Sequence, residues 1–287
     1  MSRPHERFRR VISGPTCVLA ANIFDPLSAR IADMLGYEVC VLSGSVGKAA
    51  NLGVPDIVLS NMSDVVDHCR RITRMAEVSL MVDAEDGFGN AVNVRRTVQE
   101  MEAAGVAAIE IEDNAVPKRF NVQNPGLISK EEQVGKLQAA VTARTDPSTV
   151  IVARTSALAA CPLEEALDRI RAYATTGAEA LMLAAVPHGR ADIAAVHQAT
   201  SLPLCVLNPP PEARNDAAFL AANGVRILML GNPTYAIAVK AIHDALKRLQ
   251  EGTVLEDLKE LQAPPELLRA VNRTEEFRQW QQEYLRS

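Results

Sequence analysis

Eight times along the chain a short apolar run is followed by an amphipathic segment that closes in glycine or a polar turn. The first run, CVLAANI (17–23), leads into DPLSARIADMLG, where Asp25 reads as an N-cap, Pro26 as the first helical residue and Gly36 as the stop. The next pairs are YEVCVLSGS with SDVVDHCRRITRMAE, VSLMVDAEDGFGN with NVRRTVQEMEAAG, and VAAIEIEDN with SKEEQVGKLQAAVTAR. STVIVARTSA then precedes LEEALDRIRAYATTG, AEALMLAAV precedes RADIAAVHQATS, LPLCVLN precedes NDAAFLAANG, and VRILMLGN precedes TYAIAVKAIHDALKRLQEG. Apolar strands that alternate with helices require a parallel sheet covered by those helices, and eight repeats predict an α/β fold of the (β/α)8 TIM type. A doubly wound dinucleotide fold would place GxGxxG between a strand and a helix. SGSVGKAANLG has the glycines but is not read as a helix start.

The expected organisation is a catalytic barrel over 1–252 and a C-terminal helical extension over 253–287. In that extension a polar helix, a Pro264-Pro265 break and a last helix follow one another, the last with Phe277, Trp280 and Tyr284 on one face. Such a face needs a partner, either the chain's own barrel or a neighbouring subunit. The 30 basic and 35 acidic residues leave a net charge of −5, which gives no electrostatic footprint for nucleic acid or an acidic membrane. No run has the length of a membrane span, and the charged start MSRPHERFRRV is unlike a signal peptide. The 5 cysteines are scattered without CxxC spacing, so a reduced, cytoplasmic protein is expected.

In a barrel of this type the chemistry sits where the strands end. The third strand ends in Asp83, Glu85 and Asp86, followed by Gly87 and Gly89. Carboxylates crowded at the end of a buried strand repel one another unless a cation lies among them, which points to a hard divalent ion, Mg²⁺ or its substitute Mn²⁺. Other strand ends add Asn22, the Ser43-Gly44-Ser45 turn, Glu110 and Glu112, Arg154, Asn208 and Asn232, with Asp56 in the loop after the second strand. Acids from several segments opposite a single arginine describe a metal site with a carboxylate clamp. Within AAIEIEDN, alternation puts Glu110 and Glu112 on one face and Asp113 on the other. The scattered histidines argue against zinc or a Ser-His-Asp triad, and Cys161 has no base beside it in sequence.

FDPLSARIADMLGYE, LSGS, GVPD, DAEDGFGN, EAAGVAAIEIEDN, SKEEQVGKL, VIVARTSA and GAEALML, in this order, resemble the isocitrate lyase and phosphoenolpyruvate mutase superfamily over about Arg9 to Gly252. The resemblance implies an α/β barrel that binds Mg²⁺ with a 2-oxo acid or its enolate. It also implies a homotetramer in which paired subunits exchange the eighth helix. By the same likeness Asp83 is the direct metal ligand, while Asp56, Glu85 and Glu112 act through water; Ser43, Gly44 and Ser45 hold the substrate carboxylate; and Arg154 contacts the C1 carboxylate and C2 oxygen. Arg154, Asp56 and Glu112 are then the expected catalytic set, with Asn208 and Asn232 completing the substrate pocket.

The loop after the fourth strand reads Pro117-Lys118-Arg119-Phe120-Asn121 where the isocitrate-type lyases carry KRCGH, so the proton-donating Cys of those lyases has no counterpart here. FDPLSARIA, DAEDGFGNAVNVRRTV and GNPTY are most like the oxaloacetate decarboxylase branch, in which a His stands at the position of Asn232. The expectation is therefore a lyase that decarboxylates oxaloacetate, or a related 2-oxo dicarboxylate, to pyruvate and CO₂ through a metal-stabilised enolate. The alternatives are phosphonopyruvate or phosphoenolpyruvate mutase or hydrolase activity, C–C cleavage of a 2-hydroxy or 2-oxo acid, and a small-acid binder without turnover.

Overall fold

The structure, a computed structural model, describes residues 3–117, 120–122 and 126–285. An N-terminal helix α1 (Pro4–Ser13) precedes two short strands, β1 (Val18–Leu19) and β2 (Ala21–Ile23), then α2 (Pro26–Met34), β3 (Cys40–Leu42), α3 (Gly44–Leu52) and α4 (Met62–Met75). Next come β4 (Leu80–Asp83), α5 (Ala91–Ala103), β5 (Ala108–Glu112), α6 (Lys130–Ala143), β6 (Val150–Thr155), α7 (Ala157–Ala160) and α8 (Leu163–Ala174). The last strands are β7 (Ala180–Leu183), β8 (Leu204–Leu207) and β9 (Val225–Met229), interleaved with α9 (Arg190–Ala199), α10 (Pro211–Arg214) and α11 (Ala217–Ala222). Beyond them lie α12 (Pro233–Gln250), a 3-10 turn over Leu255–Leu261, α13 (Pro265–Val271) and α14 (Thr274–Tyr284).

All neighbouring strands are parallel, in the order β1-β9-β8-β7-β6-β5-β4-β3-β2. The run read as a single first strand is interrupted at Ala20: the Ala20 N–H donates to Leu228 O at 2.9 Å, and the Ala21 N–H donates to Val39 O at 3.0 Å. One broken strand thus joins both edges of the sheet, and the barrel closes as the repeat predicts.

Two cores result. Val41, Met81, Ala108, Val152, Met182 and Ile227 fill the barrel interior, with Phe8 and Val11 of α1 packed against them. Full burial of Phe8 contributes roughly 2 kcal/mol. Between strands and helices, Ile72, Met101, Leu137, Ile170 and Val196 form the outer core. Local signals start the helices: Asp25 Oδ1 accepts from the Ser28 N–H at 2.7 Å for α2, and Asn90 Oδ1 accepts from the Val92 N–H at 2.9 Å for α5.

α3 corrects the sequence reading, which placed no helix after the Ser43-Gly44-Ser45 turn. Ser43 is its N-cap in extended geometry, and Gly53 ends it in a left-handed conformation (φ 69°), its N–H donating to Ala49 O. The two internal glycines masked a helix whose ends carry ordinary signals.

By compactness the chain divides into Met1–Asn232 and Pro233–Ser287, so α12 goes with the tail. In the tail Phe277 and Trp280 pack edge to face at 5.0 Å, and Arg273 lies over both rings. Among the described residues no helix is long and apolar enough to cross a membrane.

Candidate active site

The barrel interior changes character one pleat above its apolar layer. Met81 is followed on the same face by Asp83, Ala108 by Glu110 and then Glu112, and Val152 by Arg154. Strand register sets Asp83 beside Glu110 and Glu112 beside Arg154. Arg154 Nη1 pairs with Asp83 Oδ2 and, at 3.2 Å, with Glu110 Oε2; its Nε lies 3.2 Å from Glu112 Oε2. All three acids are buried. One guanidinium therefore holds three carboxyls.

A second group of residues closes on the first from β3 and β4. The Gly44 N–H, at the start of α3, donates to Asp83 Oδ2 at 3.2 Å, and the Glu85 N–H donates to Asp83 Oδ1 at 3.0 Å. Glu85 adopts φ 52°, a left-handed conformation that non-glycine residues hold only when their surroundings impose it. Its carbonyl accepts from the Glu112 N–H at 2.8 Å, which fixes the acid-bearing ends of β4 and β5 to each other. A Cβ on Gly44 would lie 2.6 Å from Glu85 Oε1, so only glycine admits that carboxyl here. Lys48 of α3 pairs with Glu85 and, at 2.8 Å, with Asp56 Oδ1.

Asn232 ties the serine turn together: its Oδ1 accepts from Asn22 Nδ2 at 3.1 Å and from Ser43 Oγ at 3.2 Å, and its Nδ2 donates to Ser45 Oγ at 3.2 Å. Asn208, at the end of β8, is exposed and has φ 47°; its side chain packs toward Gly231, next to Asn232. Asp86 goes elsewhere. It pairs with Lys136 of α6 at 3.2 Å and accepts from the Phe88 N–H at 3.0 Å, shaping the turn in which Gly87 (φ 82°) abuts Val94. Lys118 and Arg119 of the loop after β5 lie outside the described residues.

The electrostatics are unbalanced. Among the described residues, Asp56, Asp83, Glu85, Glu110 and Glu112 form ion pairs only with Lys48 and Arg154. Burial opposes charge on Asp83, yet Arg154 and the two backbone N–H groups hold its carboxyl below the usual range. Burial pushes Glu85, Glu110 and Glu112 up to about 7, and the charge on Asp83 adds to the rise in each. Glu110 Oε1 is buried with no hydrogen-bond donor among the described residues. Such a cluster is short of positive charge, and protons or a cation relieve it. Among the described residues no three His, Cys, Asp or Glu side chains converge as a ready cage for a metal ion. The donors gathered here are carboxylate oxygens without His or Cys, which is the chemistry that suits a hard divalent ion.

Comparison with known proteins then places the chain. The sequence profile of the phosphoenolpyruvate phosphomutase family matches residues 8–250. The chain belongs to the phosphoenolpyruvate phosphomutase family. Among its relatives, the oxaloacetate decarboxylase of Rhodopseudomonas palustris (strain BisB18) is 46% identical over 86% of this chain and 85% of that protein. The oxaloacetate decarboxylase of Bradyrhizobium diazoefficiens is 42% identical over 94% of this chain and 93% of its own. A crystal structure of phosphonopyruvate hydrolase in complex with oxalate and Mg²⁺ superposes with a TM-score of 0.86 at 29% identity, covering 99% of this chain and 100% of that one. Within this phosphomutase-family barrel, the residue that sequence reasoning missed is Lys48. Its only sequence signal was a lone lysine among small residues in VGKAANLG.

Proposed function

We propose that this chain is a Mg²⁺-dependent carboxy-lyase that converts oxaloacetate to pyruvate and CO₂. The reading rests on one observation: Arg154 sits within a surplus of acids at the mouth of the barrel, facing a serine turn that starts a helix. The naming of relatives at 46% and 42% identity as oxaloacetate decarboxylases supports the substrate. Asp83 is the direct ligand proposed for the metal, with Asp56, Glu85 and Glu112 acting through water. When bound, Mg²⁺ supplies positive charge beside the oxygen on which negative charge develops.

The chain's own residues do the rest. The N-terminus of α3, with the Ser43 and Ser45 hydroxyls and the Gly44 N–H, receives the C1 carboxylate. Asn232 orients both hydroxyls through its amide. Arg154 faces the C2 oxygen. As the C3–C4 bond breaks, CO₂ leaves and the electron pair passes to the pyruvate enolate, whose oxygen the guanidinium stabilises. Uptake of one proton at C3 completes pyruvate. No covalent nucleophile takes part. Asn208, at the rim of the same mouth, is the proposed contact for the distal carboxylate.

Likeness to a phosphonopyruvate hydrolase favours one second reading, phosphorus–carbon chemistry on the same enolate platform. A panel assay separates the two. Pyruvate released from oxaloacetate above the metal-only background supports decarboxylation, whereas inorganic phosphate released from phosphonopyruvate, seen by phosphorus NMR, replaces it. α12 has no buried residue and exposes Ile237 (68%), Ile242 (61%) and Leu246 (62%). A second copy of the chain is the proposed cover for that helix, within a homotetramer of helix-swapped pairs. Native mass spectrometry showing a monomer would refute that assembly.

A further inference from the structure

Lys48 is a cation that the proposed chemistry leaves without a task. Its side chain is 2% exposed, and it is the only partner among the described residues that the ion pairs give to Asp56 and Glu85. The two carboxyls are held unequally. Glu85 is fixed by its left-handed backbone, by the Glu112 N–H on its carbonyl and by its carboxyl lying against Gly44. Asp56 comes from the irregular stretch between α3 and α4, and its own side chain is 62% exposed. Asp56 therefore reaches the site at Lys48.

We propose that Lys48 is a built-in counter-ion that sets the order of assembly at this site. In the free protein its ammonium neutralises the two carboxylates that a divalent ion would draw on through water, and it repels the ion directly. Divalent metal then binds weakly alone. A 2-oxo acid adds negative charge that Lys48 attracts, which offsets the repulsion, so metal and substrate bind tightly only as a pair. Lys48 acts through Asp56 and Glu85 and is a positioning residue. The inference rests on the divalent-metal reading of the proposed function.

The test measures Mn²⁺ affinity by electron paramagnetic resonance of the unbound ion, in wild type, K48M and K48R, with and without oxalate. Without oxalate, K48M binds Mn²⁺ about tenfold or more tightly than wild type, because a unit charge a few ångströms away is removed. Oxalate then strengthens Mn²⁺ binding much more in wild type than in K48M, and K48R, which keeps the charge, behaves as wild type. If K48M does not fold, K48Q gives the same comparison. Equal Mn²⁺ affinity of wild type and the uncharged variant, with oxalate-dependent binding in both, overturns the role of Lys48 and leaves the metal reading standing. Absence of Mn²⁺ binding in every variant, with or without oxalate, overturns both.

Discussion

At the end of β5 the carboxyls of Glu112 and Asp113, one residue apart, go to opposite faces, and the two environments are solved differently. On the outer face Asp113 is fully buried, yet it accepts from Thr155 Oγ1 at 2.7 Å, Tyr173 Oη at 2.8 Å and the Ser156 N–H at 3.3 Å, with Arg169 at 4.0 Å. On the inner face Glu110 and Glu112 share Arg154 with Asp83, and one Glu110 oxygen has no donor among the described residues. Alternation along the strand assigns the faces, but what packs against each decides the chemistry. The outer carboxyl meets hydroxyls from the neighbouring strand and from α8, and its hydrogen bonds are complete. The inner carboxyls meet one another. A completed network locks two strands; an incomplete, like-charged one is where a ligand belongs.

The contrast breaks most sharply at Asp83. Asp83→Ala is expected to lower oxaloacetate turnover on the order of 10³-fold, while the metal-free protein loses little thermal stability, because Arg154 keeps Glu110 and Glu112 as partners and the crowding of like charges eases. A melting temperature that falls as far as activity does would make the inner cluster structural. Asp113→Ala should do the reverse. It leaves the Thr155 and Tyr173 hydroxyls without their shared acceptor, which costs about 3 kcal/mol in urea unfolding, and the folded enzyme should keep its KM. A kcat loss as large as that of Asp83→Ala would make Asp113 part of the same site as the inner carboxyls.

A subtler separation comes from pH. A carboxyl whose folded value is raised keeps in the native state a proton that the unfolded chain releases. Its stabilising contribution is present at low pH and is lost as pH rises from 4.5 through about 7, the range set by Glu110. Metal-free protein should therefore lose stability across that range, Mg²⁺ should restore more at pH 8 than at pH 5, and Glu110→Gln should flatten the slope by on the order of 1 kcal/mol. An unchanged slope in Glu110→Gln would show that the inner carboxyls are not short of positive charge.

Much of this was legible in sequence because it is periodic or local. Strand–helix alternation gave the barrel, and the two-residue period of AAIEIEDN separated Glu110 and Glu112 from Asp113. Carboxylates at the end of LMVD could be placed at the barrel mouth because strand ends are where barrels put polar residues. What sequence left out is contact across distance. Lys48 meets Glu85 across 37 residues from a helix disguised by its glycines, and Asn232 meets Ser43 across 189. Tyr173 reaches Asp113 from the buried side of α8, where periodicity marks an apolar position and says nothing about the hydroxyl. Asp86, next to two site acids in the chain, turns away to Lys136 because the positive-φ turn at Gly87 follows it directly.

The central claim is that the inner cluster lacks a cation that arrives with a 2-oxo acid. Calorimetric titration of the purified protein with oxalate, with Mg²⁺ and after chelation, tests it most directly. The account predicts tight oxalate binding only when Mg²⁺ is present, and its loss in Asp83→Ala. Oxalate binding of equal strength in chelator, or unchanged in Asp83→Ala, would contradict it.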